Sequence, residues 1–232
     1  MRQVFSQGEI QVPEVFGWRR HSTQHGDQLF VYMSLIEGQT LRVAWPSLTE
    51  DDKVAIQSDL RHVVKNLRGL TQDNPQSISS VNGGDVLDRY FSPDYEKGPF
   101  PDCKTFHDWM FAAATRQFPA EDGTIKCLDH PDMCRDLLPD DAKVYFTHGD
   151  LTLSNIMVSG HPGSCRVTAI IDWEQAGWYP EYWEFSKMYF GAGPRDEWQR
   201  EDWPSKILEP GEANQAADWA FATYRQWRSG GT

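Results

Sequence analysis

The stretch that decides the fold is residues 144–174, VYFTHGDLTLSNIMVSGHPGSCRVTAIIDWE. It opens with a short β-rich run, Val144 to Thr147, which delivers His148-Gly149-Asp150, and Asn155 follows that aspartate by five positions. A second β-rich run, Val167 to Ile171, delivers Asp172 at its end. Two strands that each end in a carboxylate, with an amide between them, can bring three oxygen ligands around one small volume. A phosphate-bound magnesium ion needs such a set, because it prefers octahedral oxygen coordination and takes one or two protein carboxylates beside water and phosphate. Asn155 and Asp172 are then the candidate metal ligands. Asp150 remains to orient an attacking hydroxyl and accept its proton. Taken singly, each has a plainer reading: aspartates often hydrogen-bond nearby turn backbone, and an asparagine can cap a loop.

The spacing H-x-D-x-x-x-x-N with a later strand-borne aspartate resembles the catalytic core of the aminoglycoside phosphotransferase and choline kinase-like family. These are cousins of the protein kinases, with HGD in place of HRD and IDWE where protein kinases have DFG. Four further segments resemble family segments in the family's order: VPEVFGW (12–18), YMSLIEGQTL (32–41), GPFPDCKTF (98–106) and GWYPEYWE (177–184). The resemblance implies an α+β, protein-kinase-like fold, with residues 1–40 a remnant of the N-lobe and hinge and residues 41–232 a mostly helical C-lobe bearing the catalytic loop. It implies ATP and magnesium as cofactors, with Met33 at the back of the nucleotide pocket and the backbone of Ser34 and Ile36 pairing with the adenine edge. Without it, Gln28 to Met33 reads as a buried hairpin strand. His148, by the same resemblance, braces the loop backbone.

The front end departs from the pattern. A glycine-rich loop over the phosphates, a strand lysine and the helix glutamate that pairs with it are the family's other catalytic parts, and the chain shows none of them. Lys53 and Lys65 lie on a later helix, and Glu9 comes too close to VPEV. The expectation is an N-lobe lacking its first strands and a phosphotransferase slowed by the lost positive charge. Two alternatives stay open: a non-phosphorylating enzyme of secondary metabolism that reuses the cleft with Asp150 as acid or base, and a catalytically dead binding module. A strand at Val12 to Phe16 without its neighbour would be an unpaired edge, which invites a homodimer.

Composition narrows the partners. A chain of 232 residues with 39% hydrophobic content can bury a substantial core as one domain of two lobes. The formal charge of −12 argues against nucleic acid or an anionic membrane surface and suits a small, cationic substrate. No apolar run has the length of a membrane span and no signal-peptide pattern opens the chain, so a cytoplasmic location is expected. Cys103, Cys127, Cys134 and Cys165 lack C-x-x-C spacing and read as reduced thiols.

Elsewhere, Ser47-Leu48-Thr49-Glu50 has the form of a capping box for a helix with Ile56, Leu60, Val63, Val64 and Leu67 on one face, stopped by Gly69. Residues 71–102 are rich in turn signals, which fits a binding loop or a surface excursion. Thr105 is expected to cap a helix carrying Phe106, Trp109 and Met110. The aromatic run after Asp172 is expected to pack the core, with Glu174 and Glu181 as possible substrate contacts, since a carboxylate beside ring faces can hold an ammonium group. Ala217, Ala220, Tyr224 and Trp227 form a closing helical stripe.

Overall fold

The amphipathic segment that carries Ile56 to Leu67 becomes the longest helix among the described residues. In the computed structural model, which describes residues 12–24, 26–89, 97–115, 135–136, 138–191 and 197–211, that helix runs Glu50–Arg68. Cys127, Cys134 and the stripe from Ala217 to Trp227 lie outside the described residues. The chain divides into two units, one made of Met1–Leu67 and Leu151–Trp173, the other of Arg68–Asp150 and Glu174–Thr232.

The first unit opens with β1 (Val15–Thr23) and β2 (Gly26–Met33), an antiparallel hairpin in which Trp18 faces Val31 and Arg20 faces Leu29. Cross-strand partners share a face, yet Trp18, Leu29 and Val31 are all exposed. The second expected strand is thus found, but as an exposed hairpin arm. β3 (Gln39–Thr40) leads into the short helix α1 (Leu41–Ala44) and then α2 (Glu50–Arg68), whose predicted apolar face is buried at Ile56, Leu60, Val63, Val64 and Leu67.

The cap of α2 is shifted by two residues from the expected box. Thr49 Oγ1 accepts the Asp52 N–H at 3.2 Å and the Asp52 carboxylate accepts the Thr49 N–H at 2.9 Å, whereas the Ser47 hydroxyl turns back to the Ala44 carbonyl. Here an aspartate at the third helical position takes the reciprocal role that a glutamate has in the usual capping box. Asp52 also accepts the N–H groups of Gly163 and Cys165, both at 2.8 Å, and so fastens the turn between two strands to the start of the helix.

The second unit holds β4 (Ser79–Ser80), α3 (Cys103–Thr115) and β5 (Val144–Thr147), while the first resumes with β6 (Ile156–Ser159) and β7 (Arg166–Ile170). β8 (Gly177–Pro180) returns to the second unit, followed by α4 (Trp183–Gly191), α5 (Glu197–Arg200) and α6 (Trp203–Ile207). The sheets are β3-β6-β7 in the first unit and β4-β8-β5 in the second, all antiparallel. β5 and β7, the strands that deliver His148–Asp150 and Asp172, therefore belong to different sheets: β5 pairs with β8 and β7 with β6. At Gly177 a Cβ would stand 2.6 Å from the Ser79 carbonyl oxygen, so only glycine lets β8 approach β4 this closely.

α3 is capped by Asp102, whose carboxylate accepts the Thr105 N–H at 2.7 Å, three residues ahead of the threonine expected to do so. The core of this unit joins Ile78, Val86, Phe100, Phe106, Met110 and Trp183. Tyr179 and Trp183 stack at 5.1 Å and Phe106 meets Trp183 edge-on at 5.3 Å, contacts worth about 1 kcal/mol each beyond their burial. The aromatic run after Asp172 is core, as expected. Residues 71–102 are, where described, mostly exposed or half-buried, but Ile78, Val86, Asp88 and Phe100 are buried and anchor the segment.

Candidate functional site

Gly149 sits at φ 78°, the left-handed region where a side chain is strained, and a Cβ there would lie 3.0 Å from the Gln175 carbonyl oxygen. The glycine lets the chain leave β5 sharply, so that His148 is fully buried while Asp150 is half-buried. The buried carboxylate of Glu184, in the first turn of α4, accepts the His148 N–H at 2.6 Å and the Gly149 N–H at 3.3 Å. The Asp150 N–H donates to His148 Nδ1 at 3.1 Å, so the histidine braces the loop backbone as expected. Burial pushes the Glu184 carboxyl up to about 7, against the two backbone hydrogen bonds and the charges of Arg68 and Lys187, which pull it down. Arg68 lies over the Tyr145 ring at 4.8 Å and donates to the Glu181 carbonyl at 2.6 Å.

Asn155 and Asp172 belong to the first unit. A turn closed by the Asn155 N–H on the Thr152 carbonyl, 3.0 Å, delivers Asn155 at the head of β6, where it is buried. Ile156 pairs with Ile170 across β6 and β7, and the next rung is the Ile171 N–H on the Asn155 carbonyl at 2.9 Å. Asp172 follows directly, exposed and at φ 63°. Left-handed backbone is uncommon for residues other than glycine and is best tolerated by Asn and Asp. Trp173 then buries its ring and donates from Nε1 to the Ile170 carbonyl at 2.8 Å, which pins the chain on the far side of Asp172. The structure thus brings Asn155 and Asp172 to the same end of one strand pair. Asp150 belongs to the other unit, ahead of the Leu151 at which the chain crosses between them.

The other expected residues fall as follows. Met33 ends β2 with 42% of its surface exposed, and Ser34 and Ile36 are half-buried beyond it. The Ser34 N–H donates to the Glu14 carbonyl at 2.8 Å and the Ser34 hydroxyl accepts the Glu14 N–H at 2.9 Å, so this backbone is fixed against the start of the hairpin. Glu174 is exposed but already pairs with the guanidinium of Arg89. Glu181 is half-buried, and its main chain is clamped between Lys143 and Arg68.

Four residues escaped the sequence reading: Asp88, Gln175, Glu184 and Lys187, all buried in the second unit. Lys187 Nζ donates to Asp88 at 2.6 Å and to Gln175 Oε1 at 3.1 Å, and Asp88 also accepts the Trp183 indole N–H at 2.9 Å. The one available signal was Glu184 and Lys187 standing one turn apart among aromatic residues, where a solvated charge is out of keeping.

The donor set suits magnesium by its chemistry: one amide oxygen and one carboxylate, leaving the remaining positions to water and phosphate. Among the described residues no group of three His, Cys, Asp or Glu side chains is assembled as a metal site, and no helix is long and apolar enough to cross a membrane.

A family model described as the phosphotransferase enzyme family matches residues 1–228 of the sequence. No curated protein matches it. Among solved structures, the chain is similar to the apo form of a thermostable mutant of aminoglycoside phosphotransferase APH(4)-Ia, at 15% identity and a TM-score of 0.59, over 99% of this chain and 74% of that one. The ternary complex of such a mutant with ADP and hygromycin B matches at 15% identity and a TM-score of 0.56, over 96% and 72%. A microcompartment-associated aminopropanol kinase matches at 15% identity and a TM-score of 0.51, over 100% and 71%. At such identities the likeness shows the fold, a mixed α/β, protein-kinase-like one, as expected from the central motif.

Proposed function

Because this chain belongs to the phosphotransferase enzyme family, we propose that it transfers the γ-phosphoryl group of ATP to a hydroxyl of a small molecule. The observation that carries the reading is the pairing of β6 with β7, which holds Asn155 and Asp172 at the same end of one strand pair. The solved relative that holds ADP with hygromycin B supports both halves of the reaction, nucleotide and hydroxyl-bearing acceptor.

In this reading Asp150 orients the acceptor hydroxyl and takes its proton as the oxygen bonds to the γ-phosphorus and the bond to the departing diphosphate breaks. Asn155 and Asp172 hold magnesium, which when bound supplies positive charge against the phosphate oxygens. The residues after Met33 meet the adenine edge. Since the Ser34 N–H is engaged by Glu14, Ser34 serves through its carbonyl, an acceptor for the adenine amino group, and Ile36 supplies the second backbone contact. A cationic acceptor would meet Glu174 only by displacing Arg89.

A second copy of the chain belongs to the same reading. Residues 12–36 carry Arg19 and Arg20 against Glu14 and Asp27, a balance of zero, so the whole formal charge of −12 lies elsewhere. The exposed apolar face of Trp18, Leu29 and Val31 is therefore a region where two acidic copies can meet without repulsion.

Thermal denaturation with ATP and magnesium tests the nucleotide half. At a concentration of about 100 times Kd, ligand adds about 2.7 kcal/mol to stability. Asp172→Ala is expected to lose most of that gain, read against its own melting temperature without ligand, which alanine in the left-handed backbone of this position lowers. A parent protein whose melting temperature does not respond to ATP and magnesium refutes the reading.

A further inference from the structure

α4 presents two buried ionisable side chains one turn apart, and they work on the same loop from different sides. Glu184 accepts the loop N–H groups directly. Lys187 reaches the loop through Gln175: its ammonium donates to Gln175 Oε1, and the main chain of Gln175 is the surface against which Gly149 packs. The same ammonium neutralises Asp88, which is 0% exposed. Gln175 Oε1 accepts in addition the Arg89 N–H at 3.0 Å, and the Arg89 guanidinium pairs with Glu174. One lysine thereby joins residues 88–89, residues 174–175 and the loop ahead of Asp150.

Stability gives a poor account of such a junction. A buried ion pair usually contributes no more than well-packed apolar side chains of the same shape, because the desolvation of both charges offsets their attraction. What the pair does supply is geometry. An ammonium with three donors fixed on two oxygens admits few arrangements, where methylene groups would slide.

We propose that Lys187 is a positioning residue for the loop His148–Asp150: held between Asp88 and Gln175, it fixes the main chain on which Gly149 rests and so sets where Asp150 stands. The role of Asp150 as base is taken from the proposed function, but the geometry of its loop can be measured without nucleotide or acceptor, so the two ideas fail separately.

The experiment is amide hydrogen exchange on the full chain, comparing the His148, Gly149 and Asp150 amides with those of the β5–β8 ladder around Phe146 and Trp178. Lys187→Met leaves the Asp88 charge buried and unpaired, and the melting temperature is expected to fall by about 10 °C. A merely structural lysine would speed exchange equally at both places, since both would follow global opening. A positioning lysine raises the loop-to-ladder ratio by about tenfold or more. If the single variant does not fold, the pair Asp88→Leu with Lys187→Met removes both charges together, and the same ratio is read from it. A ratio unchanged from the parent in the folded variant overturns the proposal, whatever the melting temperature does.

Discussion

Replacing Glu184 by glutamine should make the protein's stability less dependent on pH and its loop less well held. The carboxyl is pushed from 4.5 to about 7 by burial, and each tenfold gain in proton affinity corresponds to about 1.4 kcal/mol. The folded chain therefore binds this proton more tightly than the unfolded chain. Its contribution to stability is fully present below pH 4.5 and is lost as pH rises through 7. The loss amounts to about 3 kcal/mol by pH 8. Glu184→Gln is neutral at every pH, so the stability of variant minus parent, from chemical denaturation followed by tryptophan fluorescence, should climb by about 3 kcal/mol between pH 5 and pH 8. Function should move the other way. A carboxylate accepts both the His148 and the Gly149 N–H, whereas a carboxamide or a protonated acid turns a donor towards one of them. Phosphoryl transfer by the parent should thus fall as pH drops below 7, and the variant should be slow throughout. Stability curves that stay parallel from pH 5 to pH 8 refute the idea, since they would mean that Glu184 titrates alike in the folded and unfolded chain.

Three further outcomes are expected. Asp52 is held well below the usual carboxylate range, chiefly by the Gly163 and Thr49 backbone N–H groups, so its stabilising effect is present above pH 3.8 and fades as pH falls further; Asp52→Asn should melt lower than the parent at pH 7, and the gap should narrow below pH 3.8. Gly149→Ala forces a side chain into left-handed backbone against the Gln175 carbonyl, at a cost of about 2 kcal/mol, or about 5 °C in melting temperature; a change within about 1 °C would show that the turn adapts freely. The hairpin face predicts a dimer by sedimentation velocity that Trp18→Ser with Leu29→Ser dissociates, and a parent that sediments as a monomer at about 50 μM, a concentration at which a Kd of 1 μM leaves it mostly dimeric, rules the dimer out.

The sequence by itself determined the fold family and the residues at which chemistry was sought. A run such as HGD with an asparagine five residues on, or an aspartate at a strand end, is written in consecutive positions, and local backbone preferences already fix much of what it can do. The apolar face of α2 was legible for the same reason, being a repeat of period 3.6. Even here the tertiary structure moved details: Thr49 and Asp102 took over the caps, and the two strands that end in the aspartates fell into different sheets. Only the tertiary structure decided what holds the loop. Glu184 stands 36 residues from His148, and Lys187 stands 99 from Asp88. A glutamate, a lysine or an aspartate in a sequence reads as a solvated surface charge. It becomes a bracing group when folding removes its water and brings it a partner, and both the desolvation and the partner come from parts of the chain that no local pattern connects.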